Sequence, residues 1–237
     1  MAIRAVTLDA GGTLIAVAEP VGATYARVAA RHGIVLEPDE VERRFRSAFA
    51  AAPPLAFAGA SPTRLRDHER AWWYTIVREA LGRDVVGAPL DATFDELFVH
   101  YAGASAWRVF PEVAHVLAAL RQRGLRLAVV SNFDARLGPL LAALDLAPLV
   151  DAVVHSSRVG SAKPAPGIFR DALARLDVAP ADALHVGDEP VEDVSGARTA
   201  GMRALLIDRA GRAPALPRGV SALPSLDAVP RYVDGAE

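Results

Sequence analysis

The chain begins with the pattern of a short β-strand. Residues 3–8 are apolar or β-branched at most positions, and the turn-forming run Asp9-Ala10-Gly11-Gly12 follows them directly. The pattern predicts a strand that ends in a tight turn at Asp9.

From about residue 21 to residue 103 the apolar positions recur instead at helical spacing. Val41, Phe45 and Phe49, for example, lie four residues apart and therefore share one helix face. Three further groups have similar spacing: Tyr25, Val28 and Ala29; Trp72, Ile76 and Leu81; and Phe94, Leu97, Phe98 and Tyr101. The pattern predicts an all-helical block of about 85 residues, the size of a small domain, inserted after the first strand.

After Trp107 helical and strand patterns alternate. Strand-like runs cover residues 125–130, 152–154, 183–186 and 203–207, with helical patterns between them. Repeated strand–helix units predict an α/β fold, with a parallel sheet and helices on both faces. The predicted core comprises residues 1–15 and 107–237, and the insert comprises residues 16–106. The tail from Asp208 contains four prolines and is predicted to be mostly loop.

Composition narrows the classes of function. The chain has 26 Lys and Arg against 28 Asp and Glu, without the basic excess that a nucleic-acid or acidic-membrane surface needs. It has no cysteine, which excludes disulfides, thiol catalysis and Cys-ligated metals and fits a reducing compartment. The uncharged stretch Ala48–Ala60 is shorter than the span of about 20 residues that crosses a membrane. We expect a soluble cytoplasmic protein without nucleic-acid or membrane partners; whether it is a monomer or a homodimer stays open.

Polar residues occur where the predicted core strands end. Asp9 follows the first strand, Ser131 and Asn132 follow the second, Lys163 lies in the loop after the third, and Asp188 follows the fourth, with Glu192 and Asp193 a turn later. Because the carboxyl ends of parallel strands meet at one edge of a sheet, we expect these side chains to converge. Adjacent carboxylates repel each other unless a cation lies between them, and hard divalent ions prefer oxygen ligands. An ionised aspartate, a divalent cation and a lysine around one point suit attack on phosphorus through an aspartyl phosphate.

Each of these residues also has an ordinary structural explanation. Asp9 and the glycines after it could form only a turn, and Ser131, Asn132 or Asp134 could cap the helix that follows. Lys163, the only lysine in the chain, could be a solvated surface charge, and Asp188 could stand only at the start of a helix. The ordered placement of polar residues at successive strand ends favours a functional site.

Together these runs resemble the four motifs of the haloacid dehalogenase superfamily. The matching runs are Asp9-Ala10-Gly11-Gly12-Thr13-Leu14, Ser131-Asn132, Lys163-Pro164 and Gly187-Asp188-Glu189-Pro190-Val191-Glu192-Asp193, and residues 196–202 are similar to the usual continuation. The match spans the predicted core and is most similar to the rhythmically-expressed-gene-like branch of the helical-cap subfamily I. The resemblance implies a Rossmann-like core with the insert as its helical cap domain. It also implies a Mg²⁺-dependent hydrolase, most simply a phosphatase of a small phosphorylated metabolite.

The resemblance assigns catalytic and phosphate-binding roles to five residues. Asp9 would be the nucleophile, and Lys163 would neutralise charge on Asp9 and on the phosphate. Thr13 and Ser131 would hydrogen-bond the transferring phosphoryl group, and Asn132 would help to position it.

The resemblance also implies a metal site. Mg²⁺ would be bound by Asp9, by Asp188 and by the backbone carbonyl of Gly11. Asp193 would orient Lys163 or bind the metal through water.

Gly11 departs from the pattern of the superfamily. Its phosphatases usually have aspartate two residues after the nucleophile, which protonates the leaving group and then activates the attacking water. Gly11 occupies that position here. Because general acid–base help is worth about 10²–10⁴-fold in rate, we predict slow hydrolysis of alkyl phosphates. Substrates whose leaving group needs no proton should be turned over faster.

Two other functions stay open. A 2-haloacid dehalogenase directs the same aspartate at carbon, needs no metal, and also lacks the second aspartate. Such enzymes usually carry tyrosine at that position, however, and lack the run seen here at Gly187-Asp188. A catalytically impaired relative could keep the anion site to bind a ligand or a partner. Dependence of hydrolysis on Mg²⁺ would distinguish the phosphatase from the dehalogenase.

Overall fold

The chain forms two compact units. The computed structural model describes residues 2–212 and 216–235. The first unit comprises residues 1–16, 56–59 and 109–237, and the second comprises residues 17–55 and 60–108. The outer boundaries of the insert, expected at residues 16 and 106, lie within two residues of those of the second unit. The expected insert was continuous, however. Residues 56–59 belong instead to the first unit.

The first unit is built on a parallel sheet. The described strands are β1 (Ala5–Leu8), β2 (Ile15–Val17), β3 (Trp107–Val109), β4 (Arg126–Ser131), β5 (Ala152–His155), β6 (Ala183–Gly187), β7 (Arg203–Ile207) and β8 (Ala222–Leu223). Six of them form one sheet in the order β5-β4-β1-β6-β7-β8, and every adjacent pair is parallel. This is the strand order of a Rossmann-like fold, and it confirms the predicted α/β class.

The chain order of the sheet reverses between β1 and β6. Ala5 of β1 pairs with Arg126 of β4 on one side and with Ala183 of β6 on the other. All four residues of β1 are fully buried, as expected for a strand covered on both faces. In open α/β sheets the ligand crevice lies beyond the carboxyl ends of the strands at such a reversal, which here means the ends of β1 and β6.

Both units contain amphipathic helices. The second unit contains α1 (Val21–Arg31), α2 (Pro38–Ala51), α3 (Pro62–Leu81) and α4 (Ala88–His100). The first contains α5 (Val113–Gln122), α6 (Leu137–Ala143), α7 (Ser156–Val159), α8 (Pro166–Leu176), α9 (Gly196–Thr199) and α10 (Val229–Val233), and a π-helical turn, Pro190–Ser195, precedes α9. The four helices of the second unit fall where the apolar spacing predicts them. None of the described helices is both long and apolar enough to cross a membrane.

Two features were not predicted. Strands β2 and β3 pair as a separate two-stranded sheet, and three residues each are too few to produce a recognisable period. The tail from Asp208 was predicted to be mostly loop, but it contains β8 and α10. Pro230 lies in the first turn of α10, where a missing N–H costs nothing. Residues 213–215 and 236–237 of the tail lie outside the described residues.

Candidate active site

Asp9 lies at the carboxyl end of β1, where the chain order of the sheet reverses. Its backbone N–H donates to the carbonyl of Val186 in β6 at 2.9 Å, which continues the pairing of the two strands by one residue. The residue is 7% exposed, so its carboxylate is almost fully withdrawn from water. The sheet therefore holds this side chain in one place at the edge of the core.

Lys163 makes a buried double ion pair. Its Nζ lies 2.6 Å from Asp9 Oδ1 and 2.5 Å from Asp193 Oδ1, and the residue is 4% exposed. The explanation of Lys163 as a solvated surface charge is therefore wrong. Buried charges are tolerated only when each has a close and well-oriented partner, and Lys163 has two.

Asp193 is held from three directions. Besides Lys163, its Oδ1 contacts Nε2 of His185 at 3.0 Å, and its Oδ2 accepts the N–H of Glu189 at 2.9 Å. A Cβ on Gly187 would lie 2.1 Å from Asp193 Cγ, so only glycine leaves room for this carboxylate. Both oxygens of Asp193 are thus engaged within the protein, which favours its predicted role of orienting Lys163 over direct contact with a metal.

His185 was not identified as part of the site. It is fully buried in β6, and its Nδ1 lies 2.8 Å from the Thr7 hydroxyl in β1 while its Nε2 contacts Asp193. The only available signal was a polar residue within an otherwise apolar strand. The histidine links the sheet interior to the ion pair and helps to fix Asp193.

The charges of this cluster shift several pKa values. Burial raises the pKa of Asp9, and the nearby Lys163 ammonium opposes that rise without cancelling it. Burial alone would lower the pKa of Lys163, but Asp9 and Asp193 raise it by more, so it lies above its ordinary value. Burial likewise raises the pKa of Asp193, but Lys163 and His185 together bring it below its ordinary value. The Lys163–Asp193 pair is therefore charged on both sides.

Asp188 brings a further carboxylate to the edge of the sheet. Its Oδ1 accepts the Thr13 hydroxyl at 3.0 Å. Gly12 has φ +78°, and a Cβ there would lie 2.1 Å from Asp188 Oδ2, so glycine is required for both reasons. Burial, followed by the charges of Asp9 and Asp193, raises the pKa of Asp188 to about 7.

The carboxylates fit a divalent cation. Asp9, Asp188 and Asp193 each offer an oxygen, and the three oxygens lie within 4.8 Å of one another. A cation beside Asp9 and Asp188 would offset the repulsion that raises the pKa of Asp188, and oxygen donors suit a hard ion. Because Asp193 is already bonded to Lys163 and His185, Asp9 and Asp188 are the better candidates for direct ligands. The contribution of the Gly11 carbonyl stays a prediction.

Ser131 and Asn132 follow β4 but have different surroundings. Ser131 is buried, and its side chain lies close enough to Asp9 to lower the pKa of that carboxyl group. The Asn132 amide spans the loop of Lys163: Oδ1 accepts the Lys163 N–H at 2.7 Å, and Nδ2 donates to the Lys163 carbonyl at 3.0 Å and to Glu192 Oε2 at 2.9 Å. Both amide hydrogens are thus used, which favours a role for Asn132 in positioning Lys163 over donation to a phosphate.

For Asp134 a local structural role is sufficient. Its Oδ1 accepts the backbone N–H of Arg136 at 2.9 Å, just before α6, and the Arg136 guanidinium also pairs with its carboxylate. Asp134 therefore shapes the turn that precedes α6, but it does not cap that helix, whose N-cap residue is Arg136.

Fold and site together define an α/β enzyme with a buried aspartate, a lysine and a candidate cation site at the reversal of its sheet. The model of the haloacid dehalogenase-like hydrolases matches residues 3–201. The chain belongs to this family, which confirms the resemblance found in its motifs, and it is a hydrolase.

Relatives and solved structures agree with this assignment. The mouse haloacid dehalogenase-like hydrolase domain-containing protein 3 is 37% identical over 213 residues, which cover 86% of this chain and 82% of that protein. A phosphoserine phosphatase of Thermus thermophilus is 41% identical over 137 residues, covering 56% of this chain and 53% of that protein. The crystal structure of a HAD phosphatase from Thermococcus onnurineus matches with a TM-score of 0.70 at 25% identity over 99% of both chains. The L-2-haloacid dehalogenase of Xanthobacter autotrophicus, at 22% identity and a TM-score of 0.69 over 99% of this chain and 100% of its own, shares the fold.

Proposed function

We propose that this hydrolase is a Mg²⁺-dependent phosphatase of a small phosphorylated metabolite, with Asp9 as the nucleophile. The observation that carries the proposal is the contact of Lys163 Nζ with Asp9 Oδ1 at 2.6 Å, beside Asp188, whose carboxylate offers an oxygen within 4.8 Å of one on Asp9. An anionic nucleophile can approach an anionic phosphate only where positive charge surrounds both. Lys163 supplies one such charge, and Asp9 with Asp188 offers a site for another.

In the first half-reaction Asp9 attacks phosphorus. The bond from phosphorus to the leaving oxygen breaks as the bond from phosphorus to the Asp9 carboxylate oxygen forms, which yields an aspartyl phosphate. Ser131 and Thr13 would donate to the phosphoryl oxygens, and Lys163 would offset their charge. Mg²⁺, held by Asp9 and Asp188, would reduce the repulsion between nucleophile and phosphate. Asp193, with His185 behind it, keeps Lys163 oriented throughout.

In the second half-reaction water attacks the aspartyl phosphate at phosphorus. This releases inorganic phosphate and restores the Asp9 carboxylate. Neither the leaving oxygen nor the attacking water finds a proton donor or acceptor in the side chain of residue 11. Alkyl leaving groups must then take their proton from solvent, whereas acyl or aryl leaving groups depart as stable anions. The proposal therefore includes slow turnover of alkyl phosphates.

A dehalogenase is the second candidate, because attack by Asp9 on carbon also requires no side chain at Gly11. Asp188 argues against it. Burial and then the charges of Asp9 and Asp193 raise the pKa of Asp188 to about 7, a strain that a cation would relieve. Dehalogenation has no role for this carboxylate. A relative that binds an anion without turning it over is the third candidate.

The test is a panel of phosphorylated metabolites and acyl and aryl phosphates, assayed with Mg²⁺ and with a chelator. We expect phosphate release that requires Mg²⁺, together with a phosphorylated Asp9 peptide in rapidly quenched samples analysed by mass spectrometry. Asp9→Asn should abolish both, and Asp145→Asn, an exposed aspartate elsewhere in the same unit, should change neither. Release of halide from 2-haloacids that is insensitive to the chelator would instead support the dehalogenase. Phosphate binding by the wild-type protein without turnover would support the third candidate.

A further inference from the structure

Arg209 follows β7 and contacts the backbone of the nucleophile loop, defined here as residues 9–13. Its Nε donates to the Gly12 carbonyl at 3.2 Å, and its Nη2 donates to the Thr13 carbonyl at 2.9 Å. These carbonyls belong to the two residues that follow Gly11. A side chain distant in sequence therefore holds the turn that carries the candidate metal and phosphate ligands.

Arg209 is itself held on its remaining sides. The guanidinium lies over the ring of Phe110 with its Cζ 3.6 Å from the ring centroid, and Nη1 forms an ion pair with Glu112 Oε1 at 2.6 Å. The Glu112 side chain is buried. Each guanidinium nitrogen thus has its own oxygen partner: Nε and Nη2 donate to two carbonyls, and Nη1 pairs with a carboxylate by charge. The compact ammonium of lysine could not reproduce this arrangement.

The side of the loop that Arg209 contacts borders a cavity. A cavity of about 470 Å³ is lined by Gly12, Phe110, Asp188, Arg209 and Arg212, among others. The loop is buried at Ala10 and Thr13 and is closed by backbone hydrogen bonds within residues 10–15. The two bonds from Arg209 add a restraint from the side of the cavity. Of the two arginines, Arg212 is exposed, and only Arg209 donates to the loop.

The backbone conformation at Gly12 and Thr13 determines how the nucleophile loop contacts Asp188. The Thr13 hydroxyl donates to Asp188 Oδ1 at 3.0 Å, and Gly12 leaves no room for a side chain beside that carboxylate. A rotation of either peptide would move the Thr13 hydroxyl away from Asp188. The position of the loop therefore sets the geometry of the candidate cation site.

We propose that Arg209 is a positioning residue for this loop: it fixes the Gly12 and Thr13 peptides so that Asp9, Gly11 and Thr13 face Asp188. The consequence for Mg²⁺ rests on the proposed function, whereas the consequence for the backbone of the loop does not. Arg209 touches neither substrate nor metal in this role and acts through the two carbonyls.

Three variants of the full chain test the proposal. Arg209→Met removes the guanidinium, and Arg209→Lys keeps a charge for Glu112 but loses the planar fork. Arg212→Met is the matched control, because it removes an exposed arginine of the same cavity. The first measurement is hydrogen–deuterium exchange of peptides covering residues 10–15 in metal-free protein. The second is Mg²⁺ binding by calorimetry, and the third is the overall melting temperature.

We expect both Arg209 variants to exchange the loop amides at least about tenfold faster and to bind Mg²⁺ about five- to tenfold more weakly, with Arg212→Met unchanged. Unaltered loop exchange in a folded Arg209→Lys variant would overturn the proposal, as would an equal effect of Arg212→Met. A lower melting temperature with unchanged loop exchange and unchanged Mg²⁺ affinity would show only a general structural role and would also overturn it. If the wild-type protein binds no Mg²⁺, the proposed function fails, and the exchange measurement still decides the role of Arg209.

Discussion

Replacing Gly11 with aspartate should give the enzyme the proton-transfer group that its sequence lacks. A Cβ built at Gly11 meets no atom within 4 Å, and Gly11 is not among the glycines with positive φ. A side chain can therefore begin at residue 11 without a clash at Cβ and without backbone strain. The new carboxyl group would begin two residues after Asp9, on the loop that leads to Thr13. Its effect on catalysis can thus be measured in a protein that is otherwise unaltered.

The size of the gain follows from the surroundings of Gly11. A well-placed general acid and base is worth about 10²–10⁴-fold. The open space that admits the side chain also means that nothing nearby holds it in one orientation, so we expect a gain at or below the lower limit of that range, about 10- to 100-fold. This is about 1.4–2.7 kcal/mol of transition-state stabilisation. The gain should appear with an alkyl phosphate and be small with an acyl phosphate, whose leaving group needs no proton.

The assay compares kcat/KM for a sugar phosphate and for an acyl phosphate at saturating Mg²⁺. Gly11→Asn is the matched control, because asparagine has nearly the same shape as aspartate but cannot exchange a proton near neutral pH. We expect the ratio of alkyl to acyl turnover to rise in Gly11→Asp and to stay constant in Gly11→Asn. An unchanged ratio in Gly11→Asp, or an equal rise in Gly11→Asn, would refute the reasoning about the missing acid.

Three further predictions concern the buried cluster. Lys163→Ala leaves the Asp9 and Asp193 carboxylates buried without their ammonium, and the free energy of unfolding, measured in urea, should fall by about 3–5 kcal/mol; a loss below about 1 kcal/mol would contradict the paired charges. Gly187→Ala places a Cβ 2.1 Å from Asp193 Cγ, so the free energy of unfolding should fall by about 1–3 kcal/mol and most of the activity should be lost. Gly138→Ala is the control: a Cβ there meets no atom within 4 Å in α6, so neither stability nor activity should change by much. Asn132→Ala removes the acceptor of the Lys163 N–H, so the free energy of unfolding should fall by about 1–3 kcal/mol. The value of kcat should also fall, while Mg²⁺ affinity stays near that of the wild type. A change in Mg²⁺ affinity alone would argue against the positioning role.

The main sheet was predictable because its strands are buried on both faces. Such strands appear as short apolar runs, and Arg126–Ser131 and Ala183–Gly187 lie within one residue of the predicted ranges. Strands β2 and β3 have only three residues each, and too little pattern is present in three positions to distinguish them from loop. The helix α10 was hidden by the prolines of the tail, although Pro230 occupies the one turn of a helix that accepts it.

The membership of the site was predictable for a different reason. Parallel strands place their carboxyl ends at one edge of the sheet, so polar residues that directly follow the strands lie around the same crevice. Asp9, Lys163 and Asp188 meet there as that argument requires. The contacts of each polar group were harder to predict from the sequence. The Asn132 amide could equally have faced a phosphate, and only the fold shows that it spans the Lys163 loop.

The sequence by itself therefore determined the class of fold, the edge of the sheet that carries the chemistry, and the family of hydrolases to which the chain belongs. These follow from local periodicity and from residues next to strand ends. Only the tertiary structure decided the supports behind the site, since these join positions far apart in the chain. Thr7 contacts His185 across 178 residues, and Arg209 reaches the Gly12 carbonyl across 197. No local pattern encodes such contacts, because each depends on the packing of elements that the chain brings together only when it folds.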